Sequence, residues 1–355
     1  MPSIAIIGAG CSGLAAAHVL QDAGYTVTLF EQHNYAGGRV ATGKREGFIY
    51  EYGAQYIKGG SPVSDSLILE RFRAEDLIDI DKPVWIFDSQ GHIQEGDPAQ
   101  NIGPKWTYRS GLSTLPQRMA EGLDIRLRSH VSRIKPLAAG WSLAGEEGRP
   151  LGDYDQLLIA LPTGEADALI LCSKEDLKDD STNWMYLVSV YLREGGSKPL
   201  LSVMLGYETR PEKRPYYALV NTDKKHPISW LAWEHEKSPE RVPPGAGLLI
   251  AQMAPQFTLD HWNNKHEQTV EDVHQLVVEL IDEPLDTPVF GDVYAWACAL
   301  PVRKANADTI NAIAFPHRLA FCGDGYVGGR VHLALENGIR VAHQIIQGHV
   351  EEKQE

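Results

Sequence analysis

The sequence predicts an α/β protein in which a Rossmann-like dinucleotide-binding domain is joined to an α+β domain with a mainly antiparallel sheet. Three stretches lead to this prediction. Residues 1–39 are patterned as strand, glycine-rich turn, helix and strand, and residues 319–347 as a strand, a Gly-Asp pair and a long helix. Between them, residues 183–288 contain short alternating apolar runs bounded by proline and glycine, which is typical of antiparallel strands.

The amino-terminal stretch carries a complete dinucleotide-binding fingerprint. A short apolar run is followed by Gly8-x-Gly10-x-x-Gly13, and a second predicted strand ends on Glu31. The three glycines permit a tight turn, a close backbone approach to a pyrophosphate and close helix packing, while Glu31 can accept hydrogen bonds from a ribose diol. A lone glycine-rich turn would be weak evidence, but here strand, helix and acid are all in place. The predicted nucleotide-binding residues are Gly8, Gly10, Ser12, Gly13, Glu31 and Gln32.

Composition narrows the class of protein. The chain has 355 residues, of which 43% are hydrophobic, enough for two domain cores. A net charge of -14 argues against nucleic acid or an anionic membrane as the main partner. No apolar run of about 18 residues is present and the amino terminus lacks a basic segment, so we expect a cytoplasmic protein. The four cysteines share no metal-binding spacing, so we expect free thiols and no metal.

The residues after Glu31 indicate which nucleotide is bound. Glu31-x5-Gly37-Gly38-Arg39, followed by Gly53-Ala54-Gln55-Tyr56, resembles the second signature of the flavin-dependent amine-oxidase superfamily. The resemblance implies that Gly38 and Arg39 contact the pyrophosphate of FAD, and that residues 53–56 lie beside the flavin ring. A guanidinium fork suits phosphate oxygens.

Two further passages resemble the same superfamily. Gly323-Asp324, followed by a helix from about Val331, is similar to its closing motif, and the passage around Val131 to its adenine-contacting segment. The resemblance implies that Gly323 and Asp324 hold the ribityl chain, that the Val131 backbone contacts adenine, and that the helix start at Val331 lies under the flavin N1–C2=O edge. It also implies non-covalent FAD. Asn337 stands where the superfamily usually has serine.

The resemblance implies a discontinuous FAD-binding domain of the GR2 type. We expect residues 1–60, 110–165 and 292–355 to form it, and residues 61–109 and 166–291 to form the substrate domain.

Within the superfamily the chain most resembles the renalases, at residues 53–56, 130–134, 270–276 and 321–325. The resemblance implies oxidation of misreduced nicotinamide dihydropyridines, a small-molecule substrate, with O2 accepting the electrons to give H2O2. Amine oxidases instead place a lysine in a substrate-domain strand. The strand we predict there, Met185 to Tyr191, has none.

We expect Trp296 and Gln55 to act on the substrate, with Trp296 as a flavin-facing wall. Gln252 and His235 are further candidates for the cavity. Two alternatives stay open: an amine or amino-acid oxidase, and a non-catalytic flavin-binding sensor or scaffold. The intact cofactor signatures disfavour the second alternative.

Overall fold

The computed structural model describes residues 1–175, 177 and 182–352. The helices are α1 (Cys11–Asp22), α2 (Pro62–Ser66), α3 (Thr114–Ala120), α4 (Thr163–Glu175), α5 (Trp184–Leu192), α6 (Glu234–Lys237), α7 (Pro255–His261), α8 (His266–Ile281), α9 (Ala307–Ala314) and α10 (Val331–Glu352). The strands are β1 (Ser3–Ile7), β2 (Thr26–Phe30), β3 (Thr42–Arg45), β4 (Phe48–Glu51), β5 (Ile57–Lys58), β6 (Leu77–Asp79), β7 (Val84–Phe87), β8 (Ile93–Gln94), β9 (Lys105–Tyr108), β10 (Asp124–Arg126), β11 (Arg133–Leu137), β12 (Gly140–Ala144), β13 (Pro150–Tyr154), β14 (Gln156–Ile159), β15 (Gly196–Tyr207), β16 (Ala218–Asn221), β17 (Ile228–Trp233), β18 (Gly247–Met253), β19 (Phe290–Arg303) and β20 (Leu319–Phe321).

The first of the two main sheets is parallel, with the strand order β10-β2-β1-β14-β20. Helices α1 and α10 pack on one face, and α4, α5 and α9 on the other. Because both faces are covered, the central strands are continuous apolar runs instead of alternating ones. The carboxyl ends of β1, β2, β14 and β20 meet at one edge, where ligands bind in open α/β sheets.

The second main sheet has seven strands, in the order β19-β15-β18-β17-β16-β7-β8. All neighbouring strands are antiparallel except β16 and β7. One face packs on α7 and α8, and the other faces the carboxyl edge of the parallel sheet. The predicted fold class is therefore confirmed.

The structure differs from the expectations in three places. Met185 to Tyr191 lies in α5, not in a strand, because its buried residues Met185, Val188 and Leu192 follow helical spacing. Helices α4 and α5 pack against the parallel sheet, although we had assigned residues 166–192 to the substrate domain. Conversely, β19 belongs to the seven-stranded sheet, although residues 292–303 had been placed in the FAD-binding domain.

Within the described residues, no helix combines the length and apolar character needed to cross a bilayer.

Candidate cofactor and substrate site

A cavity of about 900 Å³ lies between the carboxyl edge of the parallel sheet and the inner face of the seven-stranded sheet. All residues that we expected to contact FAD or to act on the substrate line it, except Gly13. They are Gly8, Gly10, Ser12, Glu31, Gln32, Gly38, Arg39, Gly53, Ala54, Gln55, Tyr56, Val131, Trp296, Gly323, Asp324 and Val331. The fold thus brings together residues from both ends and the middle of the chain.

The fingerprint turn has the geometry its glycines predict. Gly8 has φ +102°, and a side chain there would lie 2.8 Å from the Ala160 carbonyl oxygen. A Cβ on Gly13 would lie 2.2 Å from the Gly8 carbonyl oxygen, so this glycine allows α1 to approach β1. No described atom lies within 4 Å of a Cβ on Gly10, and this open space is where a pyrophosphate can approach the backbone.

Glu31 is buried at the end of β2, with both carboxylate oxygens anchored. Oε2 accepts from the Ala9 amide at 3.0 Å and Oε1 from the His33 amide at 2.9 Å. Each oxygen keeps a second lone pair for a ribose hydroxyl. Val131 also lines the cavity, in the loop before β11.

Arg39 joins the two halves of the site. Its Nη2 donates to Asp324 Oδ1 at 2.6 Å, and Nη1 donates to the backbone oxygens of Cys298 and Ala299 at 3.3 and 3.0 Å. A guanidinium with five donors has capacity for a phosphate oxygen beside these contacts.

Sequence reasoning missed the anchoring role of Asn337. Its Oδ1 accepts from the Gly323 amide at 2.8 Å and so fixes the turn that carries Asp324. The next residue, Gly338, lets α10 cross α1 closely, since a Cβ there would lie 2.1 Å from the Ser12 carbonyl oxygen. The Asn-Gly pair inside a helix was the available signal. Its partner, 14 residues away, was not readable from the sequence.

At the start of α10, the first bond into the helix runs from the Ala334 amide to the Arg330 oxygen at 3.1 Å. The amides of the three preceding residues therefore point out of the helix end beside the cavity. The dipole at this end favours negative charge.

A group of aromatic side chains forms another part of the cavity lining. Trp296 donates from Nε1 to the Tyr52 backbone oxygen at 2.7 Å, and its ring lies 4.5 Å from that of Tyr294 and 5.7 Å from that of Tyr52. Tyr294, two residues earlier on β19, also lines the cavity and was not among the residues that we predicted.

The other candidates have distinct positions. Gln252 lines the cavity and donates to the Gly53 backbone oxygen at 2.8 Å. His235 is not among the lining residues. Its Nδ1 accepts from the Leu248 amide at 3.1 Å, and burial lowers its pKa to about 4. Gln55 is buried with its amide fully engaged: Nε2 donates to the Glu51 and Gly53 oxygens, and Oε1 accepts from Lys237.

Basic side chains lie together at one part of the cavity lining. Lys58, Arg330 and His332 all line it, and Arg330 donates to the Tyr56 hydroxyl at 3.3 Å. In the described part of the chain, neither Lys58 nor Arg330 forms an ion pair with a carboxylate. Burial lowers the pKa of His332, Glu336 opposes this shift, and Arg330 and Lys58 add to it.

These features fit FAD. The turn offers free backbone approach at Gly10, Glu31 offers a ribose partner, Arg39 a phosphate partner, and the α10 end a positive dipole. Burial raises the pKa of the cavity-lining Cys11 thiol to about 12, so it is a poor nucleophile. Among residues 1–175, 177 and 182–352, no cluster of three or more histidines, cysteines or carboxylates could hold a metal.

Comparison with known families identifies the family of the chain. The sequence profile of the flavin-containing amine oxidoreductases matches residues 88–346, and that of an NAD(P)-binding Rossmann-like domain matches residues 6–68. The chain belongs to the flavin-containing amine oxidoreductase family. Membership assigns FAD as the cofactor and a flavin-dependent oxidoreductase as the enzyme class.

Individual relatives are distant. A putrescine oxidase redesigned in cofactor binding superposes with a TM-score of 0.75 at 14% identity, covering 98% of this chain and 99% of its own. Reduced UDP-galactopyranose mutase gives a TM-score of 0.74 at 14% identity, covering 98% and 96%. At such low sequence identities, these superpositions show a shared fold and nothing more. A Staphylococcus aureus 4,4'-diapophytoene desaturase is 35% identical over 85 residues, which span 24% of this chain and 17% of the desaturase.

Proposed function

We propose that this flavoprotein oxidises a flat, reduced nicotinamide ring and passes the electrons to dioxygen. The reaction balances as dihydropyridine plus O2 plus a proton giving pyridinium and H2O2. The observation that carries the proposal is the uncharged wall that the seven-stranded sheet presents to the cavity. The sheet residues in the lining are Leu200, Val220, Trp230, Gln252 and the run 294–300.

The pairing of the strands explains how this wall is built. Val220 lies opposite Trp230, Trp230 opposite Gln252, Gln252 opposite Ser202, and Ser202 opposite Tyr294. Directly opposed residues on antiparallel strands point to the same face. One row of side chains from five strands therefore forms a surface against which a planar ring can stack.

The absence of a lysine from Met185 to Tyr191 no longer argues against an amine oxidase, because that segment is helical and not a strand of the substrate domain. The composition of the wall takes the place of that argument. Among the described residues of the seven-stranded sheet that line the cavity, there is no lysine and no carboxylate. An amine oxidase of the kind considered above needs such a lysine. A protonated amine would also need a counter-charge, and the acidic lining residues Glu31, Glu165 and Asp324 follow strands of the parallel sheet instead.

The cationic part of the lining favours a substrate that carries an acidic group. Lys58 and Arg330 could bind the phosphates of a dihydronicotinamide nucleotide while its ring stacks on the wall.

The contributions of the chain to the reaction are positioning and electrostatics. Bound FAD would supply the hydride acceptor at N5. The aromatic wall would orient the donor ring, and orientation can supply several kcal/mol of the barrier reduction. The free amides at the start of α10 stabilise negative charge that develops beside them. Trp296, fixed by its bond to the Tyr52 oxygen, is the side chain we expect to contact the ring.

Anaerobic reduction of the FAD-loaded protein tests the proposal. We expect 2- and 6-dihydronicotinamide dinucleotides to bleach the flavin absorbance rapidly, and primary amines and amino acids to do so slowly or not at all. Trp296→Ala should slow the bleaching with FAD still bound. Trp85→Ala is the matched control, because Trp85 packs against the cluster on the opposite face of the sheet.

The alternative is an amine or amino-acid oxidase of the same family. If any amine or amino acid reduces the flavin faster than every dihydropyridine tested, that alternative replaces the proposal. If no reductant substrate bleaches the flavin, the protein is a non-catalytic flavin-binding protein.

A further inference from the structure

Behind residues 53–56 lies a group of four charged side chains with no solvent exposure, which we call the buried ion network. It consists of Glu51, Glu234, Lys237 and Arg241. Arg241 Nη1 lies 3.0 Å from Glu51 Oε1 and also contacts Glu234, and Lys237 contacts Glu234. Two positive and two negative charges balance, as buried charges require.

The network connects segments that are far apart in the chain. Arg241 Nη2 donates to Thr107 Oγ1 and to the Tyr108 backbone oxygen, both at 2.7 Å. Glu51 Oε1 accepts from the Leu112 amide at 2.8 Å. Glu51 ends β4, immediately before the cavity-lining residues 53–56, whereas Lys237 ends α6, after β17 of the seven-stranded sheet. The network therefore links the cavity-lining residues 53–56 to the seven-stranded sheet.

One contact leads from the network to the cavity. Lys237 Nζ donates to Gln55 Oε1 at 3.1 Å, across 182 residues of sequence. A lysine ammonium can only donate, so it fixes the side-chain oxygen of Gln55 on its own side. The NH2 group must then face the opposite way, where it donates to the Glu51 and Gly53 backbone oxygens at 2.8 and 3.1 Å. This amide holds the turn that leads into residues 53–56.

We propose that Lys237 is a positioning residue, which orients Gln55 and through it holds residues 53–56 against the flavin. The peptide unit between Gly53 and Ala54 is held at both ends, since its oxygen accepts from Gln55 and the Ala54 amide donates to the Arg39 backbone oxygen at 2.9 Å. The same turn is thus held from two sides, by Lys237 of the substrate domain and by the backbone of Arg39 in the cofactor-binding loop. The inference rests on the flavin site of the family and does not depend on the proposed substrate.

The test uses a charge-balanced variant, Glu234→Gln with Lys237→Met, which leaves the Arg241–Glu51 pair intact. Hydrogen exchange is measured on the FAD-free protein, so that the readout does not depend on turnover. We expect amides in residues 52–58 to exchange roughly tenfold faster, as expected for loss of one charge-assisted hydrogen bond. In the FAD-loaded variant, we expect a shifted visible flavin spectrum, because residues 53–56 line the cavity that holds the flavin.

A matched control is available on the same short helix. Lys82 pairs with Glu236 of α6 but does not touch Gln55. Lys82→Met with Glu236→Gln removes a partly exposed Lys–Glu pair on the same helix and should leave both the exchange of residues 52–58 and the flavin spectrum unchanged.

A second variant keeps the test decisive if the first fails to fold. Gln55→Leu leaves all four charges in place and should reproduce the faster exchange and the spectral shift. Combined with the charge-balanced variant, it should add nothing further, because both act through one contact. Normal exchange in folded Gln55→Leu, or additive effects in the combination, would overturn the proposal whatever the substrate proves to be.

Discussion

Replacing Gly10 by alanine should separate cofactor binding from folding. Gly10 has φ -74° and ψ 175°, which any L-residue adopts, and no described atom lies within 4 Å of the added Cβ. Loss of glycine flexibility in the unfolded chain stabilises by about 0.4–1 kcal/mol. Alanine is a poorer helix N-cap by a similar amount, about 0.5–1 kcal/mol. The two effects cancel, so the melting temperature without FAD should change by about 2 °C or less.

FAD binding should respond differently, because the methyl group occupies the space through which a pyrophosphate reaches the turn. Losing one charge-assisted hydrogen bond to the backbone costs about 1.5–3 kcal/mol, which raises the dissociation constant about ten- to hundredfold. Titration of the FAD-free protein, followed by quenching of flavin fluorescence, measures this constant.

Gly13→Ala is the contrasting variant. Its Cβ would lie 2.2 Å from the Gly8 carbonyl oxygen, so the helix must shift, at a cost of about 1–3 kcal/mol of folding free energy. The FAD-free protein should therefore melt lower. If Gly10→Ala binds FAD as tightly as the wild type, the pyrophosphate does not pass over this turn and the site assignment is wrong.

Three further predictions concern single groups. Arg39→Lys should weaken FAD binding less than Arg39→Ala, because lysine keeps the charge but loses the bidentate guanidinium. If both variants bind FAD with the wild-type dissociation constant, Arg39 does not contact the cofactor. Heat precipitation should release all yellow colour into the supernatant, whereas colour in the pellet would indicate covalent flavin at Cys298, Cys322 or His332. Burial lowers the pKa of His235 from 6.5 to about 4, so the unfolded chain binds the proton first as pH falls. The free energy of unfolding should thus drop by up to about 3 kcal/mol between pH 6.5 and 4, and less in His235→Gln; equal slopes would contradict the shift.

The cofactor half of the site was predictable because its signals are local. Gly8, Gly13 and Glu31 act within one βαβ unit, where strand, turn and helix impose fixed spacings. The structure adds what those spacings could not give, such as the Ala9 and His33 amides that anchor Glu31.

The substrate half was harder to predict because its contacts are distant in sequence. The apolar run from Met185 to Tyr191 was taken for a strand, since short buried strands and helix segments share composition. The segment is helical because it packs against α4 and α9, and those contacts are not visible in the local sequence. The Lys237–Gln55 contact joins residues 182 positions apart, and no local pattern announces it.

A single-turnover competition tests the proposed function most directly. The FAD-loaded protein is mixed anaerobically with equal concentrations of 6-dihydronicotinamide dinucleotide and putrescine, each in excess, and the products are quantified after one equivalent of flavin has been reduced. The proposal predicts about one equivalent of oxidised nicotinamide dinucleotide and almost no oxidised amine, with a matching amount of H2O2 when air is admitted. Oxidised amine as the main product would contradict it.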